Sequence, residues 1–475
     1  MSLLTSKHFD EIIPESLNLF SLPPFQTCVQ QHYYENVRPV SQINDEAPLE
    51  FSISNTGSDY LDLKRTRLHV KLKVTHNDGS ILLSKEHVAP VNLFLQSLFS
   101  QVSVYLNDTL VSSTNNHYAY KSMMKALLNF GADAKTTQLT SQLFYKDVGQ
   151  SNSDIESTDT ETGSNTGLMA RGQFIKLSQE MTMSGNLFED VFEMNRYMIN
   201  GVPMTLKLYR SSPTFCLMSG VANKKFTITL LDAYLKVCRL NVNPALIIAH
   251  NTLFENNSNA LYPFVKSEVK VTSIPVSQLT HTIDNVSNPI ANRYIVAFVD
   301  SGSFNGKYDG NPFNFQSGMI KTINLYVNGV SVPGRATSAD DADTYLNLFD
   351  SQKLWCQNQG NGISRKDFLL GSALFVYQLD EVDVDYLNLV KSGNFKMSKP
   401  MILLTRENYQ RLMSKQEEKE KTAQQTAHQT ALQTAQSQKV NEIVDDDDDS
   451  QGIANSEQPA DNPVCNKKTE LLFQS

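Results

Sequence analysis

The stretches VYLNDTLV (104–111) and LYVNGVSV (325–332) are the same short sentence written twice, 221 residues apart (328 minus 107). Each is an alternating apolar strand broken by an Asn-led dipeptide. Asn-Asp and Asn-Gly suit tight two-residue hairpins, because both central residues must adopt positive φ. The similarity runs past each hairpin. After the first comes NNHYAYKSMMKALLNFG, in which Tyr120, Met123, Met124, Leu127 and Leu128 form one apolar helix face with Gly131 as a stop. After the second comes SADDADTYLNLF, with Ser338-x-x-Asp341 as a capping box and Ala342, Tyr345, Leu346 and Phe349 as a stripe. Strand, Asn turn, strand, linker, short helix: two related β-rich domains in tandem explain the recurrence.

Strand signals dominate the rest of the body. LHVKLKV alternates Leu68, Val70, Leu72 and Val74 with His69, Lys71 and Lys73, and the same period of two marks 102–106, 204–209, 226–231, 269–271, 294–299 and 323–327. Turn-rich spacers between such strands argue for sandwiches rather than βαβ units. A chain of 475 residues has room for about two to four domains. The expected division is an extended arm over 1–45, where Pro23-Pro24 blocks helix and sheet, then β domains over 46–245 and 246–412. A Ser/Thr/Asp-rich insertion near 147–167 reads as a surface loop. From Met413 onward, 6 Lys+Arg face 12 Asp+Glu, so this tail carries −6 of the formal −9. With its TAxQ repeats and the run Asp445–Asp449 it has too little apolar surface to offset ordering entropy, and disorder is expected.

Several classes of function find no support. No run approaches the ~18 apolar residues of a membrane helix; the densest, Ala245–Ala249, is core-sized. Lys7, Asp10 and Glu11 occupy the place of a signal's apolar stretch, so no export signal is read. Five cysteines (28, 216, 238, 356, 465) are scattered too widely for a disulfide framework or CxxC site, which suggests free thiols in a reducing compartment. The sequons at Asn107, Asn256 and Asn285 therefore weigh little. Nine histidines show no HxH or HExxH spacing, and no nucleophile elbow or phosphate loop appears. Asp340, Asp341 and Asp343 read as helix-capping carboxylates, and Asp383 and Asp385 as the wet face of a strand. Basic runs stop at Lys64-Arg65 and Lys224-Lys225, so strong direct nucleic-acid binding is not expected. No catalytic set, metal site or cofactor is predicted, and the chain reads as a non-enzyme.

Longer segments carry a resemblance. LNLFSLPPFQT (17–27), the stretch 33–74, APVNLFLQSLFSQVSVYLND (89–108) and VAFVDSGSFNGKYDGNPFNFQ (296–316) resemble, in collinear order from about residue 17 to about 400, the major capsid protein of Maverick/Polinton elements and the related adintoviruses. The resemblance implies an all-β fold of two tandem eight-stranded antiparallel jelly rolls with short helices in loops. It also implies homotrimers of pseudo-hexameric outline, neighbouring capsomers and a penton-like minor protein as partners, and residence in an icosahedral virion. Its signature positions are Pro23, Pro24, Asn107, Asp108, Gly131, Pro312, Phe313, Asn328 and Gly329, with the two Asn turns marking equivalent hairpins. Two departures stand out: only Met401–Leu404 remains where the family continues into a long last strand, and the TAxQ and Asp tail has no counterpart. Jelly rolls also serve as carbohydrate-binding modules and cupin-like enzymes. Those uses need aromatic clusters, His pairs or facing carboxylates, and the single Trp355 and scattered histidines fit them poorly. A capsid gene domesticated by a host would have the same sequence pattern.

Overall fold

The computed structural model describes residues 14–400 apart from 23–24, 44–46, 56, 149–164, 222–223, 275–279, 285–289, 318–321, 381–388 and 394. Pro23-Pro24, most of the insertion, Asp383, Asp385, Met401–Leu404 and the acidic tail lie outside the described residues.

Ten strands make the first unit: β1 (Val29–Val37), β2 (Leu49–Ile53), β3 (Tyr60–His76), β4 (Val88–Pro90), β5 (Phe99–Leu106), β6 (Thr109–Ser113), β7 (Met181–Asn186), β8 (Met204–Arg210), β9 (Leu217–Ser219) and β10 (Phe226–Val242). Two four-stranded sheets, ordered β1-β10-β3-β7 and β2-β8-β5-β6, carry the fold, and β4 pairs with β9 beside them. All the pairings are antiparallel, and four of them nest. Hairpin β5–β6 is innermost, followed outward by β3–β7, β2–β8 and β1–β10. One long hairpin rolled across two sheets is the topology of a jelly roll. Alternation fills the space between the sheets: Leu68, Val70, Leu72 and Val74 of β3 and Met204, Leu206 and Leu208 of β8 are fully buried.

The second unit repeats the plan with β11 (Thr280–Asp284), β12 (Arg293–Val296), β13 (Ile323–Val327), β14 (Val330–Thr337), β15 (Phe375–Gln378) and β16 (Phe395–Pro400). Its four-stranded sheet, β11-β16-β13-β14, has the same nesting as β2-β8-β5-β6, and β12–β15 stands where β3–β7 stands in the first. Hairpins β5–β6 and β13–β14 therefore occupy the same place in their sheets. Their turns have positive φ throughout: Asn107 47°, Asp108 59°, Asn328 51° and Gly329 81°.

Several expectations need correction. Residues 29–37, assigned to an extended arm, form β1 and pair with β10 from Val29–Val242 to Val37–Leu235. Polar residues hid this strand, which is exposed along nearly its whole length. The boundary at 245–246 falls inside a helix, Pro244–Glu255, and its run Ala245–Ala249 is no core segment: Ile248 is 66% exposed. Residues 269–271, read as a strand, lie outside every described strand, since alternation predicts a face but not a pairing partner. Gly131 is not a left-handed stop. The helix Tyr118–Asn129 ends in an extended Phe130, and Gly131 (φ −70°) is the N-cap residue of the next short helix, Ala132–Thr136. Ser338 and Asp341 form no capping box. Asp341 is itself the N-cap residue of helix Ala342–Asp350, and the capping box falls at Ser364–Asp367 instead. That helix buries Thr344 and Leu348 with Tyr345 and Phe349 beside them, and Ala342 is exposed.

Candidate functional site: the seam between the two rolls

Most of the first roll's apolar side chains form a core between its own sheets, but a second core belongs to both units. It joins Ala89, Tyr120, Met123, Phe144 and Met218 of the first to Phe313, Phe315, Phe368 and Phe375 of the second. Helix Tyr118–Asn129 sits between them because its amphipathic faces are both used. Tyr118 points back into the first roll, where its hydroxyl donates to Gln96 Oε1 at 2.5 Å and accepts from the Phe188 backbone N–H at 3.0 Å. Tyr120 points across the seam. It stacks on Phe304 (5.3 Å, 22°) and meets Phe313 and Phe215 edge-on at 5.7 and 5.9 Å. Phe313 also meets Phe215 at 6.0 Å, so one aromatic cluster is built from three segments of chain.

Residues 301–315 thus dock the second roll onto the first. Tyr308 hydrogen-bonds the edge of the first roll twice: its carbonyl accepts from Ser219 N–H at 2.7 Å and its hydroxyl from Phe226 N–H at 3.2 Å. Pro312 and Phe313 are buried in this stretch, whereas Asn107, Asp108, Asn328 and Gly329 sit on hairpin turns and Gly131 opens a short helix. The described signature positions do not converge on one site. Sequence reading missed the tethers named below, because those that cross the seam join residues 164 to 226 positions apart.

Charged tethers flank the aromatic cluster. Arg171 is fully buried, with Nε donating to Pro90 O at 2.8 Å, a second nitrogen to Tyr145 O, and a third to Asp147 Oδ1 at 2.6 Å. Asp147 also accepts from Asn165 at 3.1 Å and, across the seam, from Asn311 at 3.3 Å. Lys146 crosses to Asp367 at 2.5 Å, and Lys135 crosses to the carbonyl of Asn361 at 2.5 Å. Gly362 makes the close approach possible: its φ is +73°, and a Cβ there would lie 3.2 Å from the Cβ of Ala132.

On the far side of the same helix, Lys121 pairs with Glu189 (3.2 Å) and Asp190 (2.9 Å), and Lys125 pairs with Asp190 (2.8 Å) and Glu193 (2.9 Å). Asp190 also accepts from Ser267 N–H at 2.7 Å, which pins the chain leaving the first roll. Burial pushes the Asp190 carboxyl up, but Lys121, Lys125 and the hydrogen bonds outweigh it and hold the group below its ordinary value. At Glu189 burial wins over Lys121, so its carboxyl is raised. These groups are saturated with one another, as a structural network is, rather than aimed at a substrate.

Among the described residues no cluster of three or more His, Cys, Asp or Glu is placed to hold a metal, and no helix is long and apolar enough to cross a membrane. Cys28, Cys216, Cys238 and Cys356 are free thiols.

No protein-family model matches the chain. The uncharacterized protein F54H12.2 of Caenorhabditis elegans is 23% identical over 395 residues, spanning 78% of this chain and 90% of that protein. Among solved structures, the Faustovirus major capsid protein has a TM-score of 0.49 at 10% identity, covering 84% of this chain and 90% of its own. A chain of the Sputnik virophage, solved by cryo-EM, has a TM-score of 0.51 at 11% identity, covering 83% of this chain and 87% of its own. At such identity the Sputnik likeness is one of fold. Together with the nested antiparallel strand order, it places this chain among the double jelly-roll folds.

Proposed function

We propose that the chain is the major capsid protein of a Maverick/Polinton- or adintovirus-type element. In this reading it forms homotrimers of pseudo-hexameric outline that tile an icosahedral shell with neighbouring capsomers and a penton-like minor protein. The observation that carries the reading is the core shared by the two rolls. A shell brick needs two similar sandwiches held in one unvarying relation, so that three chains present six near-equivalent sides. Aromatic packing and charged tethers across the seam supply that rigidity without any reactive group. The collinear resemblance over about 17–400 adds to it, and the free thiols suit synthesis in a reducing compartment before residence in the virion. Light scattering coupled to size-exclusion chromatography tests the proposal: trimers are expected, with hexagonal particles in negative stain. A monomer that persists at high concentration would sink it.

A further inference from the structure

Beside the tethers lies a cavity of about 360 Å3 between the rolls, lined by Met123, Leu127, Phe144, Phe313 and Ile363 and entered by Lys135. Its walls are mainly apolar. We propose that this cavity binds a medium-chain monocarboxylate, with the carboxylate on Lys135 and the alkyl chain on the apolar wall.

The argument starts from charge. Lys135 is 8% exposed, and its ammonium donates to two carbonyls, Leu127 O at 2.6 Å and Asn361 O at 2.5 Å. The Leu127 carbonyl, in the last turn of helix Tyr118–Asn129, and the loop carbonyl of Asn361 favour a cation. They leave the third N–H and the net charge unmatched, however, and a buried ammonium without a counter-ion is costly. No carboxylate lies within ion-pair distance of it among the described residues. The acids nearby are engaged elsewhere: Asp147 with Arg171 at 2.6 Å and Asp367 with Lys146 at 2.5 Å. Asp133, two residues earlier on the same short helix, is exposed. Lys146 adds a second positive charge to the lining. Burial, with a smaller push from Lys146, lowers the Lys135 ammonium to about 7, the response of a cation that lacks a partner.

Size selects the ligand class. At about 30 Å3 for a water-sized group, the cavity takes roughly a dozen non-hydrogen atoms, which is an acid of about eight to ten carbons. The site belongs to one chain and needs no neighbouring copy, so it stands whether or not shells form.

Octanoate, octanamide and acetate are the probes, added to the full-length protein during thermal melts. Octanoate is expected to raise Tm with the logarithm of its concentration, by about 2 °C at ten times its Kd, and octanamide and acetate to do much less. Lys135→Met should abolish the octanoate shift. Because that variant loses two hydrogen bonds and risks misfolding, Thr136→Trp serves beside it. Thr136 is exposed and lines the cavity, so the indole should block entry while Lys135 stays. Calorimetry at pH 8 in two buffers should show close to one proton taken up on octanoate binding by the unaltered protein and none by Lys135→Met. Equal shifts with octanoate and octanamide, no shift at all, or an unchanged response in either variant would overturn the proposal and leave Lys135 as a helix-end staple only.

Discussion

Asp108 and Gly329 hold the same turn position in the two hairpins, with φ of 59° and 81°, but only glycine does so without strain. A Cβ at Gly329 would meet nothing within 4 Å, so dihedral strain alone decides the outcome there. Gly329→Val is expected to cost about 1–2 kcal/mol in chemical denaturation. Asp108→Gly should fall between neutral and a gain of about 1 kcal/mol. Arg171 is the opposite kind of residue, deeply buried and invisible to any motif search. Replacing it with Met leaves the Asp147 carboxylate, 5% exposed, without its cation. That should cost about 3–5 kcal/mol, read as a lowered denaturant midpoint at neutral pH.

At the scale of elements, helix Tyr118–Asn129 is held by packing on one face and by charge on another. Asp190 is depressed in the folded state. Its contribution is therefore present above the unfolded carboxylate value of about 3.9 and is lost as pH falls through the lower folded value. Asp367, depressed by Lys146 and Ser364 against the pull of burial, acts in the same direction. Glu189 is raised, so it opposes them: its ionised form is the less favourable one in the folded protein, and that cost shrinks as pH falls. Stability should drop from about pH 4 downward, and Asp190→Asn should start lower at neutral pH and show a flatter profile in Tm measured from pH 3 to 6. The helix itself was legible as a stripe at Tyr120, Met123, Met124, Leu127 and Leu128, because 3.6-residue periodicity reports burial. Lys121 and Lys125 fall outside that stripe, and only their acidic neighbours some 65 residues away make their burial tolerable. Strand β1 escaped for the converse reason: its sequence VQQHYYENV lacks the apolar alternation that marks strands.

For the whole molecule, the shared core predicts that the two rolls melt together. Phe313 is the aromatic group that both sides grip, and Phe313→Ala should cost about 3–5 kcal/mol and split a single calorimetric transition into two. A single transition in that variant would mean that the tethers, rather than the aromatic cluster, couple the rolls. The duplicated hairpin and the sandwich class were readable in the chain, since turn dihedrals and one-face burial are local properties that each residue type reports for itself, whereas the segment 296–316 stood out only by its family resemblance. Which rolls share a core, that 301–315 is the docking surface, and where a buried lysine finds or lacks a partner were decided only in three dimensions. Those facts depend on chain segments some 65 to more than 200 residues apart arriving at one place, and no local periodicity encodes such a meeting.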